Sequence, residues 1–261
     1  MRGRVLITGA SGGIGEAFAE LLAGEGYGLA LVARNEGELN RVKGVISARH
    51  DVPVYVLPLD LGLPDSPATL QAALDENGLA PDILINNAGF GLAGNAVDLS
   101  RDEQLRMIDL NIRALTDLSL RFLPGMIGRR SGGIINVASV AGFMPGPGMA
   151  IYFATKAYVL SFSEAMSAEL HGTGVTVTSL CPGPVETGFQ RRAGMRTERF
   201  SGPVKPWSPA QVAAAGWAAF SKGERMVVPG WSNKLAAYGG RVTPRRLLLP
   251  IVRRATNGAK A

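Results

Sequence analysis

Six short runs of almost uninterrupted apolar residues, each but the last followed by a stretch with helical spacing, constrain this chain more than any other feature of its sequence. "RVLIT" (Arg4–Thr8), "GLALVA" (Gly28–Ala33), "VPVYVL" (Val52–Leu57), "DILIN" (Asp82–Asn86), "GIINVA" (Gly133–Ala138) and "GVTVTSL" (Gly174–Leu180) mostly lack the in–out alternation of a strand with one wet face. They read as strands buried on both sides. Helical patterns fill the gaps at Ile14–Gly24, Glu36–Arg49, Pro67–Glu76, Arg101–Gly128 and Ile151–His171. Such alternation builds right-handed βαβ units, hence a parallel sheet with helices on both faces. "RMVVP" near residue 227 offers a seventh strand. The expectation is one doubly wound α/β domain of about seven strands over residues 1–261, with 231–261 a basic extension packed on it or appended to it.

The bulk composition fits a large buried core: 46% of the 261 residues are hydrophobic and 18% charged, which argues against a disordered chain. Cys181 is the sole cysteine and has no partner for an internal disulfide, so a reducing, cytoplasmic setting is expected. "MRGRVLITGASGG" runs straight into a strand and a glycine turn without an apolar h-region, so no signal peptide is expected. No apolar run approaches the length of a membrane span. The net charge of +6 is unevenly placed. Eight cations and no acid follow Glu224, which leaves residues 1–224 at a formal −2. The basicity therefore belongs to the tail and does not indicate a general nucleic-acid binder.

The first strand enters "TGASGGIG", with glycines at 9, 13 and 15. Gly9 permits a tight turn, Gly13 lets backbone approach a pyrophosphate, and Gly15 lets the new helix pack close to the sheet. The helix N-terminus adds free N–H groups and a partial positive charge for an anion. This is the phosphate end of a Rossmann-type dinucleotide fold. After the second strand come Arg34 and Asn35, where folds that take NAD carry an acid. A guanidinium suits a 2′-phosphate, so NADPH is expected in preference to NADH. Asp60 in "LDL" offers an acceptor for the adenine amino group, and "NNAG" (Asn86–Gly89) closes the fourth strand.

"YFATK" places Tyr152 and Lys156 one helical turn apart, 13 residues beyond Ser139. A free phenol, with a pKa of about 10, is a poor proton donor or acceptor near neutrality. A lysine cation about 4 Å away is worth roughly 4 kcal/mol at an effective dielectric of 20, enough to lower it by about two to three units. Ser139 would hold a carbonyl or alkoxide oxygen.

"TGASGGIG", "NNAG", Asn111 in "LNI", Ser139, "YFATK" and "PGPVET" stand in the order and spacing of the short-chain dehydrogenase/reductase family, which the chain resembles over about residues 3–230. In particular it resembles bacterial NADPH-preferring members of the ketoacyl and steroid reductase type. The resemblance implies that Tyr152 is the acid in reduction and the base in oxidation, and that Lys156 tunes it and binds the nicotinamide ribose. Ser139 would orient the substrate oxygen, and Asn111 would hold a water in a proton relay. The implied cofactor contacts are Gly9, Ser11, Gly13, Ile14, Gly15, Arg34, Asn35, Asp60, Leu61, Asn87, Ala88, Gly89, Tyr152, Lys156, Pro182, Gly183, Val185 and Thr187. No metal is implied. A homodimer or homotetramer through the two long helices, Arg101–Gly128 and Ile151–His171, is also implied.

These features point to an NADP(H)-dependent oxidoreductase that interconverts a ketone or aldehyde and an alcohol. The loops after the strands carry Phe90, Phe143, Met144, Met149, Phe189, Met195 and Phe200, an apolar and adaptable lining for a small to medium substrate. Arg191, Arg192 and Arg196 could hold an anionic end. Two other readings stand beside this one. A nucleotide-sugar epimerase also uses Tyr-x-x-x-Lys, but usually has a larger C-terminal domain and favours NAD. A non-catalytic NADPH-binding regulator would not require the tyrosine. For the tail, a solvated helix over the domain, a subunit contact and a weak anionic-membrane contact all remain open, and Pro244 and Pro250 predict two short helices rather than one.

Overall fold

The computed structural model describes residues 1–195 and 206–257. Strands β1 (Arg4–Thr8), β2 (Gly28–Ala33), β3 (Val54–Pro58), β4 (Ile83–Asn86), β5 (Gly133–Val137), β6 (Thr176–Leu180) and β7 (Met226–Val227) form one sheet in the order β3-β2-β1-β4-β5-β6-β7. All six neighbour pairs are parallel. β1 shows why the strands read as continuous apolar runs. Val5 and Ile7 face one core, against Phe18 and Leu22 of α1 (Gly13–Gly24), Leu39 and Val42 of α2 (Glu36–Ser47), and Val212 of α8 (Pro209–Ser221). Leu6 faces the other, with Leu70 and Leu74 of α3 (Ser66–Glu76) and Leu118 and Phe122 of α5 (Leu115–Arg129). Both faces are covered, as a parallel sheet requires.

β3 begins two residues later than its apolar run. Pro53 has no N–H to give the ladder, though its carbonyl accepts from Leu29. β3 lies at the edge, and Tyr55 is partly exposed there. The pattern read as one helix over Arg101–Gly128 is α4 (Arg101–Ile108), a π-helical turn (Asp109–Ala114) and α5. The Tyr–Lys segment is α6 (Ala150–Glu169), and a short α7 (Phe189–Arg192) follows the loop after β6.

The tail forms α9 (Trp231–Val242) and α10 (Arg245–Asn257). The break falls at Thr243–Pro244, where Pro244 holds the preceding residue extended and its carbonyl accepts from Leu247 and Leu248. The tail is thus two short helices, as expected, with Pro250 inside α10 rather than at a break. The only lost donor there is Pro250's own, on a helix whose outer side faces water. α9 is held by Arg241, which pairs with Glu164 of α6 at 3.2 Å and lies over the Phe143 ring. α10 is held by Thr256, which donates to the Pro147 carbonyl. Among the described residues no helix is long and apolar enough to cross a membrane.

Candidate active site

Strand order reverses between β1 and β4, and their C-terminal ends form the crevice where open α/β sheets bind ligands. Thr8 ties the two ends together. Its hydroxyl accepts from the N–H groups of Asn87 and Ala88, both at 3.0 Å, and donates to the Ile85 carbonyl. Asn87 returns its amide to the carbonyls of Thr8 and Gly9 at 3.0 and 3.1 Å. Gly9 turns with φ 66°, and a Cβ there would meet Ala88 Cα at 2.9 Å. Gly15 lies beneath the turn, where a Cβ would press on the Gly9 carbonyl and sit 2.6 Å from Asn87 Nδ2. Gly15 thus lets α1 start close to the sheet, while Gly9, Ser11, Gly13 and Ile14 line the cavity.

The N-cap of α1 is Gly12, which brings no side-chain cap and around whose virtual Cβ there is open space. The first-turn N–H groups are therefore left for an outside acceptor, and this cradle fits a pyrophosphate. The cavity it opens into holds about 1320 Å³, room for a dinucleotide and a substrate. Asn35, Leu61, Ala88, Gly89, Pro182, Gly183, Val185 and Thr187 also line it. Asn35 has a second task, since its Oδ1 caps α2 by accepting from Glu38 N at 3.1 Å. Just past the end of β3, Asp60 accepts from Gly62 N and from Arg106 at 3.2 Å, with Arg34 at 3.9 Å.

At the other end, Ser139 follows β5, and Tyr152 and Lys156 rise from the first two turns of α6. The Ser139 hydroxyl oxygen accepts from Ala141 N at 3.1 Å. Its proton has only a long contact, 3.4 Å, with the Pro182 carbonyl, so it can serve another acceptor. Lys156 is buried and donates to the Val137 carbonyl at 2.7 Å, with its ammonium 5.9 Å from the Tyr152 ring centre. Asn111 projects from the π-helical turn one layer behind the cavity wall. Its Oδ1 accepts from Phe90 N, and its Nδ2 donates to the Phe90 carbonyl and to Thr155 Oγ1 at 3.1 Å.

The lysine was expected to lower the phenol's pKa. In the fold, burial pushes Tyr152 up to about 12, opposed in part by the neighbouring Ser139 hydroxyl. Burial also brings Lys156 down to about 8. The physical reason is desolvation: Lys156 is buried with its ammonium spent on a carbonyl rather than on the phenol, while Tyr152 is half-buried in the cavity wall.

A family model described as short chain dehydrogenase matches residues 3–197. This chain belongs to that family. Sulfoacetaldehyde reductase from Chromohalobacter salexigens is 40% identical over 187 residues, 71% of this chain and 73% of that one. A short-chain dehydrogenase from Sphingobium yanoikuyae, solved in complex with NADPH, superposes with a TM-score of 0.82 at 34% identity over 97% of each chain. The bulky-bulky ketone specific alcohol dehydrogenase from Comamonas testosteroni gives 0.77 at 29% identity, over 97% of this chain and 96% of its own.

Some residues expected to line the substrate end of this short-chain dehydrogenase do so: Met144, Met149, Phe189 and Met195 face the cavity. Phe90 and Phe143 are instead buried: Phe143 packs with Leu115, Val159 and Leu160, and Phe90 accepts the Asn111 side chain on its backbone, with its ring buried rather than lining the cavity. Arg192 lines the cavity and stacks its guanidinium 4.5 Å over Phe90. Burial, and then the Arg34 charge, lower its pKa. Arg191 is exposed, and Arg196 and Phe200 lie outside the described residues. The sequence reading missed the roof. Gly240 and Thr243 flank the α9–α10 break, and Leu248, Ile251, Val252 and Thr256 of α10 close the cavity from above. The apolar residues at 248, 252 and 255 were its only signal.

Proposed function

We propose that this short-chain dehydrogenase is an NADP(H)-dependent oxidoreductase interconverting a ketone or aldehyde with an alcohol on a small to medium, largely apolar substrate. The observation that carries this reading is the convergence of Ser139, Tyr152 and Lys156 on one apolar cavity whose far end is the uncapped glycine turn. Gly9, Ser11, Gly13 and Ile14 would hold the pyrophosphate, and Lys156 and Thr187 the nicotinamide end. Arg34, on the rim, would meet a 2′-phosphate. When bound, the nicotinamide supplies the hydride in reduction and accepts it in oxidation.

The chain's own residues handle the oxygen and its proton. Ser139 donates its free hydroxyl proton to the substrate oxygen and fixes its position. Tyr152 gives that oxygen a proton in reduction and takes it back in oxidation. Burial keeps the phenol protonated at neutral pH, the form that reduction needs. The Lys156 cation favours the phenolate left behind, and Asn111, linked to α6 through Thr155, holds the relay that reprotonates it. Met144, Met149 and Phe189, which line the cavity, favour an apolar partner.

The same reading places the whole chain in one catalytic unit in the cytoplasm. It pairs into a dimer or tetramer through α4–α5 and α6, which leave Leu105, Leu120, Ile127 and Tyr158 exposed. The test is loss of NADPH absorbance with purified protein over a panel of small to medium apolar ketones and aldehydes, repeated with NADH. Turnover of apolar ketones with NADPH preferred is the expected result. No turnover of any carbonyl would overturn the reading.

A further inference from the structure

Trp231, Leu235, Tyr238 and Val242 recur on α9 at spacings of four, three and four, which aligns them in one stripe. They are 77%, 68%, 53% and 80% exposed. Leu247 and Ile251 of α10 are exposed as well. A single exposed apolar side chain is ordinary, but an aligned group of this size marks a contact surface. The opposite side of each helix is used: Ala237 and Gly240 of α9, and Leu248 and Val252 of α10, are buried.

Charge narrows the choice of partner. Lys234 of α9 and Arg245, Arg246, Arg253 and Arg254 of α10 are exposed on the same two helices, and no Asp or Glu occurs from Arg225 onward. Among the described residues of this tail, Arg241 alone forms an ion pair, to Glu164. A two-fold contact between copies sets the same patch against itself, and here that would face cations with cations. An anionic partner is called for. Trp231 and Tyr238, apolar rings with a polar edge, suit the headgroup level of a bilayer. The geometry also links this surface to the cavity. Ile251 both lines the cavity and is 63% exposed, so it stands at the rim, with Leu248, Val252 and Thr256 beneath it.

We propose that the outer face of α9 and α10 docks on an anionic lipid surface, and that an apolar substrate passes from the lipid past Ile251 into the cavity. Docking stands independently of catalysis; the delivery step rests on the reductase reading. The test uses the full chain with vesicles of phosphatidylglycerol and phosphatidylcholine, and with phosphatidylcholine alone. The protein should float with the anionic vesicles only, and release as salt rises. Trp231→Gln/Leu235→Gln/Val242→Gln should abolish flotation, and Arg246→Gln/Arg253→Gln/Arg254→Gln should reduce it by at least about tenfold. Both variants should keep wild-type rates on a water-soluble ketone and lose rate only on a ketone dissolved in the vesicles. Docking is overturned if the wild type fails to float, if the variants float equally, or if the apolar variant shrinks to a smaller particle, which would make the stripe a subunit interface. Flotation with an unchanged vesicle-ketone rate would overturn delivery alone. A protein that floats but reduces no carbonyl would leave docking standing and remove the catalytic reading.

Discussion

Lys156→Met should make the folding stability of this protein respond to pH in a way that isolates one buried charge. In the fold, burial holds the Lys156 pKa at about 8 against an ordinary value of 10.5. Below the lower value both folded and unfolded chains carry the proton, and the fold bears the full cost of an ammonium away from water. Between the two values the unfolded chain still binds a proton that the folded chain has released, so stability rises with pH. Above the higher value the penalty is gone. The span of 10.5 to about 8, at about 1.4 kcal/mol per unit, comes to about 3 kcal/mol. Methionine keeps the apolar length and removes the charge. It also strands the Val137 carbonyl, which Lys156 now satisfies at 2.7 Å; that cost is about 1–3 kcal/mol and does not vary with pH. Urea denaturation of both proteins from about pH 7 to about pH 10.5 reads the difference directly, since every other titrating group far from the site cancels. The wild type should gain about 3 kcal/mol on the variant across that window. A difference that stays flat would mean the ammonium is as well solvated as a surface lysine, and the electrostatic account of the site would fail.

Three further outcomes follow. Tyr152→Phe should lower carbonyl reduction by about 10²–10⁴-fold with little change in NADPH affinity; turnover within about tenfold of wild type would exclude Tyr152 as the acid. Arg34→Asp should turn cofactor preference from NADPH to NADH, because a phosphate partner becomes a repelling charge and a ribose acceptor; if Arg34→Ala leaves both affinities untouched, the arginine plays no part in the choice. Gly15→Ala should cost about 1–3 kcal/mol of stability, since the new methyl would meet the Gly9 carbonyl and Asn87; an unchanged denaturation midpoint would contradict the close approach of α1 to the sheet.

What the sequence made legible is what short-range rules control. Strands buried on both faces betray themselves as apolar runs, and Tyr152 and Lys156 share a helix face by spacing alone. The glycine turn is written in the residues that permit it. What stayed hidden depends on partners distant in the chain. Nothing within "YFATK" reports how strongly burial opposes the lysine, so the upward push on the phenol was not foreseen. Phe90 and Phe143 have the same chemistry in a core as in a pocket, and only the packed fold decides between them. Pro250, like Pro244, counted against one long helix because its propensity is local, yet it lies inside α10, which is held by its buried Leu248 and Val252. The roof over the cavity was the largest omission, and it comes from residues about 100 positions beyond Ser139 and Tyr152.

The π-helical turn at Asp109–Ala114 gives chain length a meaning of its own in this protein. A wider turn carries one residue more than an α-helical path would need, and each residue of an α-helix advances about 100° around the axis. Excising a single residue there would be chemically mild and would restore a regular helix. The wider turn absorbs that residue locally, so Leu118, Phe122 and Met126 downstream would keep the phase that turns them to the core beside β4 and β5. What the regular helix would lose is the bulged backbone that carries Asn111 to the backbone of Phe90 and the hydroxyl of Thr155. The count of residues between Met107 and Leu115 is thus set by the site rather than by the core.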